Sequence, residues 1–288
     1  NQVLATARAG VAVYLVSATL PVKSRRHRFP LRYFLRPVYA PMRQIFAVNA
    51  EHAARLRKIS SQNVGVAGDT RFDAIAERLK ENQDKKKQLS AISARLSGCV
   101  VIVGGSTYAA SEEMLIAFTA TRRKLAGKNI RLILAPHHLK EENILRVLKN
   151  CTDAGLSAAR LSAGVKKDWD VLVADGFGLL AYLYPLADLA YVGGGFKGSV
   201  HSVIEAAIAG VPTVTGPAIS NSAEALDLAK MQILRVVQKP DAEEFAAHVE
   251  YLWKNRTEIG RRMADYFRQR LGVSNRIMHT VMDDILRK

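Results

Sequence analysis

The chain has 288 residues, of which 49% are hydrophobic and 24% charged, and it carries a formal net charge of +16. These values describe a globular protein with one large or two moderate domains, and no apolar run reaches the ~18 residues of a membrane span. The two cysteines, Cys99 and Cys151, have no metal-binding spacing and form no disulfide framework. This cysteine content fits a protein of a reducing compartment.

Strand and helix signals alternate over the first 70 residues. Apolar runs predict strands at 11–16, 45–48 and 64–66, and Asn49 is expected to cap a helix over 50–58. Prolines interrupt the segment 31–43, so any helix there is predicted to be short or kinked.

A basic stripe from Lys23 to Arg43 interleaves arginines with four aromatic rings. Residues 1–50 hold eight Lys or Arg and no acidic residue, which is half of the net charge of +16. This pattern is typical of surfaces that bind an anionic membrane or nucleic acid, although a solvated basic helix has the same composition. Anionic lipid is the favoured partner, through Arg25, Arg26, Arg28, Arg32 and Arg36.

From about residue 71 the pattern becomes that of a doubly wound α/β domain. Charged helix formers dominate 72–96 and predict one or two solvated helices. Further strands are predicted at 100–103, 130–135, 171–174, 189–192, 211–214 and 233–237. The helices between them are expected to begin near Ser111, Lys140, Gly178, Ser199–Ser202 and Ser222.

Five consecutive strand ends in this half carry glycine or small polar residues. Ligands of an open parallel sheet bind beyond the carboxyl ends of its strands, so the five loops together predict a ligand site. The loops contain 104–107, 136–138, 175–178, 193–202 and the residues Gly216, Pro217, Asn221 and Glu224.

The loop from Gly193 to Ser202 is the most informative of the five. It follows an apolar run and opens onto a predicted helix that carries Glu205 in its first turn. Free N–H groups of such a loop suit a phosphate, and the carboxylate can accept hydrogen bonds from sugar hydroxyls. We therefore expect a nucleotide or nucleotide-sugar site, with a tight turn that binds nothing as the alternative.

Two patterns that invite other ligands are rejected. Gly193, Gly195 and Gly198 have the G-x-G-x-x-G spacing, but the loop comes late in the chain and no acidic residue lies between 212 and 223. The pair His137 and His138 could suggest a metal, but adjacent residues on an extended segment point apart and no cluster completes a site. A histidine that donates to a phosphate or nucleotide is favoured instead.

Four segments together resemble the 3-deoxy-D-manno-octulosonic acid (Kdo) transferases, the enzymes that put Kdo on lipid A. The stretch Val171–Pro217 is similar to the donor-site segment of that family, with Asp175-Gly-Phe-Gly-Leu-Leu180 and His201-Ser-Val-Ile-Glu-Ala-Ala207. The other segments are Ile133-Leu-Ala-Pro-His-His138, the interdomain signature Val66-Ala-Gly-Asp-Thr-Arg-Phe-Asp73 and, more loosely, Leu15-Val-Ser-Ala-Thr-Leu20. The variants at these positions resemble the branch of the family in Bacteroidetes-type bacteria.

The resemblance implies an α/β fold of the GT-B glycosyltransferase type, with two Rossmann-like domains of which the first is incomplete in this chain. Residues 1–70 would form the C-terminal part of the acceptor (lipid A) domain and 71–270 the CMP-Kdo donor domain. Residues 271–288 would form a C-terminal helix that could pack back on the first domain. The family's general base, a glutamate, has no counterpart here, so it is expected upstream of Asn1 and this chain alone is expected to be inactive.

The implied function is inverting transfer of Kdo from CMP-Kdo to a lipid A precursor (lipid IVA) in lipopolysaccharide core biosynthesis, with no metal and no cofactor. The implied place is the cytoplasmic face of the bacterial inner membrane, reached peripherally or through an upstream anchor, with no nucleic-acid partner. By position, the donor would contact Gly105, Ser106, Pro136, His137, Phe177, Gly178, Leu179, Gly194, Ser202, Val203, Ile204, Glu205 and Asn221. The alternatives are another GT-B enzyme that uses a UDP-sugar (a transferase or epimerase) and a basic module that binds membrane or nucleic acid.

Overall fold

The computed structural model describes residues 2–60, 63–81, 89, 92–164 and 168–286. The chain divides into two compact units. The first unit joins Asn1–Ala74 to Arg268–Lys288, and the second unit is Ile75–Phe267. In the described ranges, no helix combines the length and the apolar character that crossing a bilayer requires.

The first unit is built on three parallel strands in the order β1 (Val13–Ala18), β2 (Met42–Ala47) and β3 (Val64–Val66). Its helices are α1 (Gln2–Arg8), α2 (Leu31–Tyr39), α3 (Ala50–Leu56) and the start of α4 (Arg71–Glu81). As predicted, the Asn49 side chain accepts a hydrogen bond from the His52 N–H, at 2.9 Å, and caps α3. Helix α2 is short and contains Pro37, which agrees with the prediction for this segment.

The first strand begins two residues later than predicted. Gly10 adopts a φ of +78°, and the N–H of Val11 donates to the Thr6 carbonyl at 3.2 Å. This bond closes the C-terminus of α1 and takes Val11 out of the strand, where it is 56% exposed. The apolar side chain of Val11 therefore marked a helix end rather than a strand start.

The C-terminal helix α12 (Val273–Leu286) belongs to the first unit. Its Val273 and Ile277 side chains bury against Phe46. The Asp73 carboxylate accepts the N–H groups of Gly272 and Ser274, at 2.7 and 2.6 Å. Burial alone would raise the pKa of Asp73, but these hydrogen bonds outweigh it and hold the pKa below its usual value.

The second unit is built on a parallel sheet. Its strands are β4 (Val100–Thr107), β5 (Lys124–Leu125), β6 (Lys128–Pro136), β7 (Ala158–Arg160), β8 (Val171–Val173), β9 (Leu189–Val192), β10 (Thr213–Thr215) and β11 (Leu234–Val236). The strand order is β11-β10-β9-β4-β6-β8-β7, and the short β5 pairs antiparallel to β6. After β4 the chain forms β6, β7 and β8 on one side of β4 and then returns to form β9 on the other side. The boundary between β4 and β9 is thus the switch point, where open α/β sheets bind ligands.

Among the described residues, the later helices of the second unit are α5 (Ala109–Thr121), α6 (Glu141–Asp153), α7 (Leu180–Leu183), α8 (Ile204–Ile208), α9 (Ala223–Lys230), α10 (Ala242–Lys254) and α11 (Arg256–Arg268). The predicted 72–96 helical region is only partly described, because residues 82–88 and 90–91 lie outside the described ranges.

The helix that was expected to begin within Ser199–Ser202 begins at Ile204 instead. The N–H groups of Val200 and His201 donate to the Ala218 and Gly193 carbonyls, and this pairing holds that segment out of helical geometry.

Candidate functional site

The loops that follow β4, β6, β9 and β10 are joined by backbone hydrogen bonds at the carboxyl edge of the sheet. The Gly193 N–H donates to the Gly105 carbonyl at 2.9 Å, and the His137 N–H donates to the Thr107 carbonyl at 2.9 Å. The Ala218 N–H donates to the Gly195 carbonyl at 3.0 Å. Four of the five predicted loops therefore form one continuous rim at the switch point.

The glycines of the 193–198 loop serve close backbone packing. A Cβ on Gly193 would overlap the Ser106 carbonyl, and one on Gly195 would lie 2.6 Å from the carbonyl carbon of Gly216. Gly194 has a φ of +91°, which favours glycine over other residues. Packing thus explains Gly193 and Gly195 without a dinucleotide, whereas Gly198 has open space around it and a φ of +112°.

Three rings stack on one another above this rim. The His137 ring lies 4.9 Å from that of Tyr108 and 4.5 Å from that of His201, with interplanar angles of 28° and 22°. The Tyr108 hydroxyl is 3.2 Å from His201 Nε2. Burial lowers the pKa of both His137 and His201, so both imidazoles are neutral near pH 7.

Tyr108 was missed by the sequence interpretation, although it directly follows the flagged strand-end loop 104–107. His201 lies within the flagged loop 193–202 and in the segment similar to the family's donor site, but it was not named among the donor contacts. What makes them members of the site is the stacking against His137, which depends on strand pairing. His137 and His138 also both contact Tyr108, at 4.9 and 5.5 Å between ring centroids, so the two adjacent histidines serve the same ring.

A cavity of about 330 Å³ opens beside the ring stack. Of the predicted donor residues, only Pro136 and Gly194 line it. The other lining residues are Thr107, Tyr108, Ala109, Ala110, Ser111, Glu112, His138, Asn143, Arg146, Phe196 and Lys197. Among these residues, Arg146 and Lys197 are cations and Glu112 is a buried carboxylate. Because Glu112 is paired with Arg146, the remaining positive charge favours an anion in the cavity.

Glu205 lies in the first turn of α8, as the sequence predicted. Its carboxylate is 3.8 Å from the Nη1 of Arg78, and its side chain is only 19% exposed. Burial raises the pKa of Glu205 above its usual value, and the charge of Arg78 only partly offsets this. The structure therefore keeps a costly, partly buried carboxylate at the end of the glycine loop.

Gly105 packs directly against the side chain of Tyr184. A Cβ on Gly105 would overlap the hydroxyl of Tyr184, whose side chain is fully buried. Burial raises the pKa of Tyr184, and the charge of Glu205 raises it further. Gly105 is thus required for packing, and its backbone forms the wall of the rim.

Three of the remaining predicted donor residues have buried side chains. These are Leu179, Val203 and Ile204, so only their backbone groups are available to a ligand.

The other predicted donor residues are more accessible. Phe177 is 86% exposed, and Ser202 is also exposed. The side chain of Asn221 donates a hydrogen bond to the Val200 carbonyl at 3.2 Å. Gly178 and Ser106 both have positive φ angles, of +67° and +51°.

In the first unit, the predicted arginines form a basic-aromatic patch with Phe29, Tyr33 and Phe34. The guanidinium groups of Arg32 and Arg36 lie 5.0 and 4.9 Å from the centre of the Tyr33 ring. Phe29 and Phe34 are 77% and 75% exposed, which is unusual for large apolar side chains. The patch comprises Arg25, Arg26, Arg28, Phe29, Arg32, Tyr33, Phe34 and Arg36.

The part of the chain that the structure describes contains no group of three or more His, Cys, Asp or Glu side chains suited to a metal ion. The three histidines near the cavity are instead engaged in ring contacts with one another and with Tyr108.

Comparison with known proteins identifies relatives of the chain. The family model described as 3-deoxy-D-manno-octulosonic-acid transferase (kdotransferase) matches residues 1–74. A 3-deoxy-D-manno-octulosonic acid transferase of Bordetella pertussis is 31% identical over 229 residues, which cover 77% of this chain and 52% of the relative. The protein of the same name from Rickettsia bellii is 26% identical over 243 residues, which cover 83% of this chain and 55% of the relative. The chain therefore spans about half the length of the curated relatives it matches.

Solved structures agree with the predicted fold class. The C-terminal CMP-Kdo binding domain of WaaA from Acinetobacter baumannii matches with a TM-score of 0.54 and 22% identity, over 66% of this chain and 100% of that domain. The UDP-GlcNAc 2-epimerase from Neisseria meningitidis, bound to UDP-GlcNAc, matches with a TM-score of 0.67 and 16% identity, over 99% of this chain and 72% of the enzyme. The predicted α/β fold of the GT-B type is confirmed.

Because the Glu205 carboxylate is partly buried, replacing it with a neutral side chain should stabilise the folded chain. The gain in stability should depend on pH. Well above the usual pKa of 4.5, the carboxylate is ionised in the folded and unfolded states, but only the folded state bears the cost of burial. Glu205→Gln should therefore raise the melting temperature at pH 7 and have little effect below about pH 4, where both states are protonated. A gain of 1 kcal/mol corresponds to about 2–4 °C for a domain of this size.

Differential scanning calorimetry of the chain between pH 4 and 8 measures this effect. The matched control is Glu250→Gln, which neutralises an exposed carboxylate of α10. A lower melting temperature for Glu205→Gln at pH 7 would mean that the Arg78 pairing outweighs burial, contrary to this account.

Proposed function

The chain belongs to the 3-deoxy-D-manno-octulosonic acid (Kdo) transferase family, and on that premise we propose that it binds CMP-Kdo and acts in Kdo transfer to a lipid A precursor. The single observation that carries the proposal is the position of Glu205 and the Gly194 loop at the switch point of the parallel sheet. The costly burial of Glu205 supports a role in binding, because perturbed carboxylates concentrate at functional sites.

The proposed nucleotide contacts follow from the rim. The Glu205 carboxylate would accept hydrogen bonds from the ribose hydroxyls, and the loop at Gly194 would receive the phosphate. Helix α8 has only five residues, so backbone amides of the loop, more than a helix dipole, would carry the phosphate contact. His137 as a neutral imidazole could donate one further hydrogen bond to the nucleotide.

The proposed reaction is a direct displacement with inversion. Such a step needs a base for the acceptor hydroxyl and positive groups for the phosphate that leaves with CMP. The backbone N–H groups of the Gly194 loop would supply that stabilisation. We propose that these N–H groups serve the task that a metal ion performs in other glycosyltransferases.

One alternative keeps the fold and changes the donor. The similarity to an epimerase bound to UDP-GlcNAc favours testing a UDP-sugar in the same rim. The glycine loop and Glu205 would contact the phosphate and ribose of either nucleotide. The two possibilities therefore differ in the nucleobase that the site accepts, cytosine or uracil.

Nucleotide binding by the chain tests the proposed function. CMP should raise the melting temperature, because a ligand at 100 times its Kd stabilises the folded state by about 2.7 kcal/mol. Glu205→Ala should abolish the shift, whereas Glu250→Ala should retain it. Thermal unfolding with 1 mM CMP, and separately with 1 mM UDP, is the measurement.

The outcomes separate the two donors. A larger shift with UDP than with CMP would favour the UDP-sugar alternative. The absence of any shift with either nucleotide, with the wild-type chain folded, would reject the nucleotide site.

We propose further that the basic-aromatic patch contacts the anionic face of the inner membrane, where the lipid acceptor lies. Arginines near a charged surface each contribute about 1 kcal/mol, and exposed rings such as Phe29 and Phe34 can insert at the interface. Residues 1–50 contain no acidic side chain to oppose this attraction.

Vesicle flotation tests this surface. The wild-type chain should float with vesicles that contain about 30% anionic lipid at low salt, and not with neutral vesicles. The double variant Phe29→Ser with Phe34→Ser should lose most of the binding, because it removes the two most exposed rings of the patch while keeping its charge. Equal flotation of wild type and variant, or preference for RNA over anionic vesicles in competition, would contradict the proposal.

A further inference from the structure

The cavity beside the ring stack is largely unexplained by the nucleotide contacts. Glu205 and the exposed Phe177 do not line it, and only Pro136 and Gly194 connect it to the expected nucleotide rim. The remaining lining residues come from the segment Thr107–Glu112, from the loop after β6, from α6 and from the loop after β9. The cavity is therefore a separate compartment that opens next to the phosphate loop.

Arg146 supplies one unused donor in this compartment. Its Nη2 donates to the Glu112 carboxylate, which is 1% exposed and also accepts from the Thr107 hydroxyl at 3.0 Å. Its Nη1 is shielded from solvent and finds no acceptor among the described residues. A buried guanidinium N–H without a partner is costly, so this atom calls for an acceptor that a ligand would bring.

Lys197 supplies a second positive group. Its Nζ lies 4.7 Å from the centre of the Tyr108 ring, at the same cavity. No carboxylate pairs with Lys197 within the described ranges, and its side chain is exposed. A lysine held over an aromatic face with no counter-ion is available to bind an anion.

The rest of the lining suits a polyol. His138 and Asn143 add hydrogen-bonding side chains, and Phe196 offers an apolar ring face for a sugar. Cations, hydroxyl partners and a ring face together match a carboxylate-bearing sugar better than a nucleobase, which requires no cation. The volume of about 330 Å³ falls within the range of small-molecule pockets.

We propose that this cavity binds the sugar acid of the donor, with Arg146 and Lys197 on its carboxylate. The assignment rests on the proposed function, which supplies the identity of the donor sugar. It divides the donor between two compartments: the nucleotide on the Glu205 side of the glycine loop and the sugar acid on the Lys197 side. Arg146 and Lys197 are then residues that select an acidic sugar over a neutral one.

Separate titrations with CMP, with free Kdo and with the methyl ester of Kdo test this division. NMR titration of the wild-type chain should show that Kdo binds at least about tenfold more tightly than its ester, which lacks the carboxylate charge. Lys197→Gln should weaken Kdo binding about tenfold and change CMP binding by less than about twofold. The matched control is Lys128→Gln, an exposed lysine at the opposite, amino end of β6.

Arg146→Lys is the second variant, because it can keep the ion pair with the buried Glu112 while removing the unused donor. It should weaken Kdo binding in the same direction as Lys197→Gln, with an unchanged melting temperature as evidence of folding. Equal binding of acid and ester would overturn the proposal, as would a Lys197→Gln variant that weakens CMP and leaves Kdo unaffected.

The titrations also separate the two proposals. CMP binding without Kdo binding would overturn the sugar-acid assignment and leave the nucleotide site standing. Kdo binding without CMP binding would support the cavity assignment and reject the nucleotide part of the proposed function.

Discussion

The rim of the second unit depends on backbone contacts that leave no room for a Cβ atom. Gly193 packs against the Ser106 carbonyl, and Gly195 packs against Gly216. Hydrogen bonds between Gly193 and Gly105, and between Ala218 and Gly195, hold the same loops together. Because an interior this dense cannot deform continuously, these contacts fix where each following side chain can lie. The positions of Glu205, His201 and Lys197 are all consequences of this packing.

The same packing explains why charge is retained where it is costly. Glu205 is partly buried with a raised pKa, and Arg146 keeps a shielded N–H that finds no acceptor within the described ranges. A fold optimised for stability alone would replace both, since buried polar groups without full partners are destabilising. The two groups lie in different compartments of one rim, which is the arrangement that a donor with a nucleotide and an acidic sugar would require.

Much of the architecture could be predicted from the sequence because the strands and helices follow from local patterns of apolar and polar residues. The alternation of apolar runs and helix formers gave the strands of the parallel sheet, and strand ends in such a sheet must share one edge. The short strand Ala158–Arg160 escaped because three half-buried residues leave no pattern to recognise. The helix start at Ile204 was misplaced because hydrogen bonds to Gly193 and Ala218, distant in sequence, hold the preceding residues.

The site was predicted only in part, for the same physical reason. The glycines and His137 stand in strand-end loops whose composition predicts a site, and Glu205 stands in the first turn of the helix that follows the glycine loop. Tyr108, Arg146 and Lys197 become site residues only when β4, β6 and β9 pair and bring three segments to one cavity. Arg78 likewise reaches Glu205 from a helix more than a hundred residues away in sequence. Pattern reasoning has no access to such long-range contacts.

The central claim is that the glycine rim and Glu205 together bind a cytidine nucleotide. A crystal structure of the chain with CMP tests it most directly. The account predicts ribose oxygens within hydrogen-bond distance of the Glu205 carboxylate and the phosphate against the Gly194 loop. A nucleotide ordered elsewhere on the chain, with the rim empty and Glu205 still facing Arg78 alone, would contradict it.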